Sequence, residues 1–154
     1  YVPTETGPGH ASIYTGATPA VHGIIANDWY DRALKKDVNC VNDTTRKAVG
    51  TDAPGMVSPW RMLSTTITDE LKLATNKKAK VIGVSLKDRG AVLPAGHMPD
   101  GAYWFDGKTG AIITSTYYKE TLPDWVNQFN LKKLPDTYLN QTWNTVYPTN
   151  TYLA

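Results

Sequence analysis

The segment Thr6-Gly7-Pro8-Gly9-His10 joins strand-like residues, Tyr1 to Thr4, to a run that can open a helix. A hydroxyl residue between a strand and a glycine-rich helix entry is a recurring nucleophile geometry. The helix start adds unpaired N–H donors and a positive dipole end, which favour an anion such as phosphate. A threonine hydroxyl attacks poorly until a base or a metal activates it, and no residue of this chain stands out as that base. On this pattern alone, helix capping by Thr6 is the plainer reading. A second charged element, Lys87-Asp88-Arg89, follows a strand-like run and by itself reads as a solvated loop. His10, His22 and His97 each lack a carboxylate or second histidine at ligand spacing, so structural hydrogen bonding is expected of them. Asp28 and Asp31 read as loop-fixing residues. Cys40 lies in a polar stretch with no histidine placed as its base, which argues against a nucleophilic role. As the sole cysteine, it also excludes an internal disulfide and any zinc site built on paired cysteines.

The elements that must position these residues are legible in outline. The first helix runs through Ala11, Ser12, Ile13 and Tyr14 and stops near Gly16. Residues 17 to 28 read as a loop, and residues 35 to 57 as a polar surface excursion. Ser58-Pro59 can open a second helix. Leu63, Ile67, Leu71 and Ala74 would then fall on one face of it, with its end near Asn76. The run Lys80 to Leu86 predicts a buried strand. Asp106 to Gly110 is a hairpin turn between two β-rich runs. Leu122 to Leu131 predicts a short helix burying Trp125 and Phe129, and the tail from Lys132 is irregular. A helix followed by a buried strand fits an α/β class.

Composition narrows the function. The 154 residues hold 16 Lys and Arg against 14 Asp and Glu. That balance argues against a nucleic-acid partner bound mainly through phosphate neutralisation. No apolar run approaches the roughly 18 residues of a membrane-spanning helix. Nine Tyr and five Trp against two Phe could supply a glycan-binding surface, although core packing is the commoner use. The chain opens on Tyr1 without an initiator Met and reads as a piece of a longer polypeptide.

Three stretches together carry a resemblance: Thr6-Gly7-Pro8-Gly9-His10, Ser12 to Gly16, and Pro19 to Asn27. They resemble the nucleophile region of the type I phosphodiesterase/nucleotide pyrophosphatase family, within the alkaline phosphatase superfamily. The resemblance places the family's threonine nucleophile, whose oxygen also contacts a metal ion, on Thr6. The phosphate-contacting asparagine falls on Asn27, 21 positions later. Lys80 to His97, followed by Ala102 to Gly110, resembles the zinc-dependent alkaline phosphatases of that family, the PafA-like monoesterases. There a Lys-x-Arg pair binds the non-bridging oxygens of the substrate, and the pair falls on Lys87 and Arg89. An arginine fork matches phosphate geometry, and a monoester dianion presents more charge than a diester.

The resemblance implies a fragment of a three-layer α/β/α fold with an inserted cap. Residues 1–34 would carry the nucleophile helix and phosphate loop, and residues 35–154 the cap with its Lys-x-Arg element. The activity implied is phosphate monoester hydrolysis through a phosphothreonine at a two-zinc site, on small-molecule substrates, in a periplasmic or secreted enzyme. Most zinc ligands would come from the remainder of the parent polypeptide, so the fragment alone is expected to hold no zinc tightly and to be inactive. A phosphodiesterase would share Thr6 and Asn27 without needing Lys87 and Arg89. A non-catalytic, aromatic-rich binding domain is the reading from another class.

Overall fold

A left-handed glycine ends each of the first two helices. Helix α1 (Thr6–Thr15) stops at Gly16, φ 67°, whose N–H returns to the Ser12 carbonyl. Helix α2 (Pro19–His22) stops the same way at Gly23, φ 79°. This short helix lies where the sequence reads as a loop, and Pro19 at its first position favours it. The computed structural model describes residues 5–52 and 55–152, so the strand expected over Tyr1 to Thr4 lies outside the described residues.

Two sheets follow. Strands β1 (Asp28–Asp31) and β2 (Lys36–Asn39) form an antiparallel hairpin, with Trp29 opposite Val38. Strands β3 (Ala48–Val49), β4 (Ile82–Ser85), β5 (Gly101–Asp106) and β6 (Ala111–Ser115) form a sheet in the order β3-β6-β5-β4. Its β4–β5 pair is parallel and its other pairs antiparallel. Helix α4 (Asp88–Ala95) makes the crossover that a parallel pair requires. Close approach is set by small residues, since a Cβ on Gly83 would run into the α4 backbone at Ala91. The β5–β6 turn is the one the sequence predicts, closed by the Gly110 N–H on the Asp106 carbonyl at 2.8 Å.

Helix α1 packs along α4, and Ala11, Ile24, Val92, Leu93 and Ile113 share one core. Cys40, Val41 and Val57 belong to the same core. The stretch from 35 to 57 is therefore no surface excursion. Among its described residues Val38, Cys40, Val41 and Val57 are buried, whereas Met56 is exposed and most of the polar residues face outward or turn the chain.

Helix α3 (Ile67–Ala74) starts later than Ser58-Pro59 suggests. Ser58 is buried and donates to Asp43 Oδ2 at 2.6 Å, while Thr66 and Asp69 form a reciprocal capping box. The spaced apolar face also points the other way, with Leu63 76% and Ile67 68% exposed, whereas Asp69 is fully buried. Similarly β4 is a strand, but Ile82 and Val84 are exposed. In helix α5 (Asp124–Leu131), Val126 is the buried residue; Trp125 and Phe129 stay half exposed. From Lys132 onward the chain is largely exposed and carries two short 3-10 turns, as the composition predicts.

Candidate active site

Thr6 is the first residue of α1 and is half-buried. The extended residue before it, Glu5, and the helical residue after it, Gly7, both reach Asn27. The Gly7 N–H donates to Asn27 Oδ1 at 2.7 Å, and the Asn27 N–H donates to Glu5 Oε2 at 2.6 Å. The Asn27 carbonyl accepts from the Cys40 N–H at 2.8 Å. Gly7 must be small, because a Cβ there would lie 3.1 Å from Asn27 Oδ1 and 3.1 Å from the Cys40 sulfur. The fold thus brings Thr6 and Asn27 together across 21 residues of chain.

Lys87 and Arg89 bracket the start of α4, the helix that packs along α1. Cys40 links the two regions. It touches the Gly7 position directly, and its thiol senses the charges of Arg89 and Asp88. Burial pushes that thiol up to about 12, against a smaller opposing pull from Arg89. Arg46, Arg61 and Arg89 each carry a buried Nε without a hydrogen-bond partner among the described residues. Arg46 and Arg61 have carboxylates nearby, Asp43 at 3.6 Å and Asp31 at 3.7 Å. Arg89 forms no ion pair among the described residues. Buried polar atoms are normally satisfied, and of these three arginines Arg89 is the one without an ion-paired carboxylate among the described residues. The Lys87 side chain is not hydrogen-bonded to Thr6 or Asn27. It lines a cleft of about 240 Å³ with Asp88, Trp104 and Asp106.

The histidines take structural places. His10 Nδ1 donates to the Thr6 carbonyl at 2.8 Å. His22 accepts the Ile24 N–H on Nδ1 at 3.1 Å, which leaves its proton on Nε2, facing Ser12 Oγ at 3.0 Å. Burial lowers its pKa and keeps it neutral. His97 faces Asp69 and the Met62 carbonyl, both acceptors. Among the described residues no three His, Cys, Asp or Glu side chains cluster to hold a metal ion. Thr6 offers one hydroxyl, where a zinc site takes three or four ligands.

Glu5 and Gly7 are the participants that residue-type reasoning passes over. Gly7 reads as helix entry and Glu5 as an unremarked acid, because their bonds to Asn27 are non-local.

Residues 1–153 match the family model described as type I phosphodiesterase / nucleotide pyrophosphatase. Alkaline phosphatase PhoV of Synechococcus elongatus is 55% identical over 153 residues, covering 99% of this chain and 28% of PhoV. Alkaline phosphatase PafA of Elizabethkingia meningoseptica is 55% identical over 154 residues, covering 99% of this chain and 28% of PafA. The crystal structure of wild-type PafA matches with a TM-score of 0.93 over 97% of this chain and 29% of that one. A PafA variant altered at a threonine, an asparagine, a lysine and an arginine matches at 0.92, with 53% identity, over 97% of this chain and 29% of that one. The chain spans about 28% of the length of these curated relatives.

Proposed function

Because this chain belongs to the type I phosphodiesterase/nucleotide pyrophosphatase family, we propose that it is part of an alkaline phosphatase hydrolysing small-molecule phosphate monoesters. The observation that carries the reading is the Gly7–Asn27 bond of 2.7 Å, which sets the first turn of α1, where Thr6 stands, against the Asn27 side-chain amide. In this reading the Thr6 oxygen attacks phosphorus as the P–O bond to the alcohol breaks, the hydroxyl proton ending on the departing alcohol. Water then cleaves the phosphothreonine P–O bond, restoring Thr6 and releasing inorganic phosphate. Asn27, Lys87 and Arg89 take up charge on the non-bridging oxygens as it develops. The unpaired guanidinium of Arg89 supports its part. The variant of PafA adds support: its altered threonine and asparagine are 21 positions apart, and its lysine and arginine two apart. Those are the spacings of Thr6 to Asn27 and of Lys87 to Arg89.

Two zinc ions belong to this proposal, held mainly by carboxylates and imidazoles outside the 154 residues. Such ions activate hydroxyls and steady leaving oxygens. The division into a core segment, 1–34, and a cap segment, 35–154, and a periplasmic or secreted setting are part of the same reading. Acid quenching of the full-length parent during turnover of an aryl phosphate tests it. Peptide mass mapping should find phosphate on Thr6, and phosphate on another residue would refute the assignment.

A further inference from the structure

Every polar group of Asn27 except one is held by a neighbour. Its N–H donates to Glu5 Oε2 at 2.6 Å, its carbonyl accepts from Cys40 at 2.8 Å, and its Oδ1 accepts from Gly7 at 2.7 Å. The Gly7 bond settles which end of the side chain is oxygen, since only an oxygen can accept there. The Nδ2 donors make no hydrogen bond among the described residues. Two of the three grips come from the residues on either side of Thr6.

This arrangement makes a brace. Gly7 fixes one atom at the tip of the side chain and Cys40 holds the backbone carbonyl, but neither ties the Asn27 backbone to the start of α1. A grip at the backbone N–H makes that tie. Glu5 supplies it with a carboxylate, and a charge-assisted bond of this length is among the stronger ones available to a backbone N–H. Its own backbone is fixed in turn, because the Glu5 carbonyl accepts from the Gly9 N–H of α1 at 3.0 Å. Any movement of the helix start therefore carries Thr6 and Asn27 together.

We propose that Glu5 is a positioning residue: it locks Asn27 to the start of α1, so that the free Asn27 amide donors address the phosphoryl group attacked by Thr6. This rests on the reading of Thr6 as nucleophile and Asn27 as substrate contact. Glu5 itself touches no reacting atom. Its influence passes entirely through Asn27.

A double-mutant cycle in the full-length, metal-loaded parent tests it, with an aryl phosphate as substrate and inorganic phosphate as competitive inhibitor. Glu5→Ala should lower kcat/KM about tenfold to a hundredfold, the effect of one charged hydrogen bond. Phosphate inhibition should weaken alongside. In an Asn27→Ala background the same change should cost less than about twofold, because the group being positioned is gone. A full-sized Glu5→Ala loss in both backgrounds overturns the brace, as does an unaffected Glu5→Ala when Asn27→Ala is impaired. If Asn27→Ala is itself fully active, the underlying site reading fails and the brace with it. Should Glu5→Ala not fold, Glu5→Gln carries the cycle. It keeps length and an acceptor but loses the charge, and a loss equal in both backgrounds again overturns the proposal.

Discussion

Asp69 and His97 meet at 3.2 Å between Oδ2 and Nδ1, tying the start of α3 to the loop that leaves α4. The Asp69 carboxylate is fully buried, yet it accepts from Thr66, His97 and Met98 backbone N–H groups as well. Burial opposes its charge, but these donors together hold its pKa down to about 2. The same pairing raises the pKa of His97, whose two ring nitrogens both face acceptors.

Stability should therefore depend on pH through this pair. The Asp69 contribution is present above its ordinary value of about 3.9 and is lost as pH falls toward 2. The His97 contribution is complete below about 6.5 and is lost as pH rises through its raised value. The pair then stabilises most between about pH 4 and 6.5. Thermal unfolding of the intact protein and of His97→Gln across pH 3 to 9 checks this. The gap between the two should narrow on the alkaline side; a constant gap would mean that His97 is not charged in the folded state.

Gly7→Ala should separate activity from stability. Alanine is the better helix former by up to about 1 kcal/mol, but its Cβ would press on Asn27 Oδ1, the Cys40 sulfur and the Ala26 carbonyl. Asn27 must then shift by tenths of an ångström. The expected outcome is a drop of about tenfold or more in kcat/KM, with the melting temperature changed little. Activity within twofold of wild type would show that Asn27 tolerates displacement.

Cys40 should resist alkylation in the folded protein. Its thiol is buried and pushed up to about 12, so thiolate is scarce at neutral pH. Iodoacetamide at pH 8 should label the native protein far more slowly than the urea-unfolded one. Cys40→Ser should leave turnover within about twofold while lowering the melting temperature, because the new hydroxyl enters a core position with no assured partner. Rapid native labelling would contradict the burial.

Local signals carried the parts of the fold that close locally. Gly16 ended α1 and the Asp106–Gly110 turn closed its hairpin where the sequence placed them. Thr6 and Asn27 stand out as candidates because a linear motif holds both. Errors arose where distant partners decide. Ser58 reads as a helix cap, but Asp43, 15 residues away, takes its hydroxyl. The spacing of Leu63, Ile67 and Leu71 reports a coherent apolar face, not what covers it, and in this chain that face is exposed. Cys40 is buried where the sequence reads as polar surface, because one buried residue among many polar neighbours leaves no periodic trace. The Glu5 brace was invisible for the same reason, being a contact across 22 positions.

The isolated 154-residue chain should retain no stoichiometric zinc after dialysis. A zinc site takes at least about three protein ligands, and the described residues gather no such cluster. Elemental analysis decides it. One tightly held zinc per chain would show that a site assembles from this segment alone.

The sharpest test of substrate class lies in Lys87 and Arg89. Both stand at the start of α4, and Arg89 keeps a buried Nε with neither hydrogen-bond partner nor ion pair among the described residues. A monoester dianion offers such cations one more charged oxygen than a diester, where a second substituent occupies that oxygen. Hydrogen bonds to charged groups contribute about 1.5–3 kcal/mol each, and about 1.4 kcal/mol is tenfold in rate. Lys87→Ala with Arg89→Ala in the full-length parent should thus lower monoester kcat/KM by about 10² to 10⁴. Hydrolysis of the matched methyl diester should fall much less, whereas Thr6→Ala should abolish both because they share a nucleophile. Measuring kcat/KM for an aryl phosphate and its methyl diester, in wild type and the double variant, gives the answer. An equal loss on both substrates would remove the monoester-specific role and favour diester hydrolysis as the activity of the parent.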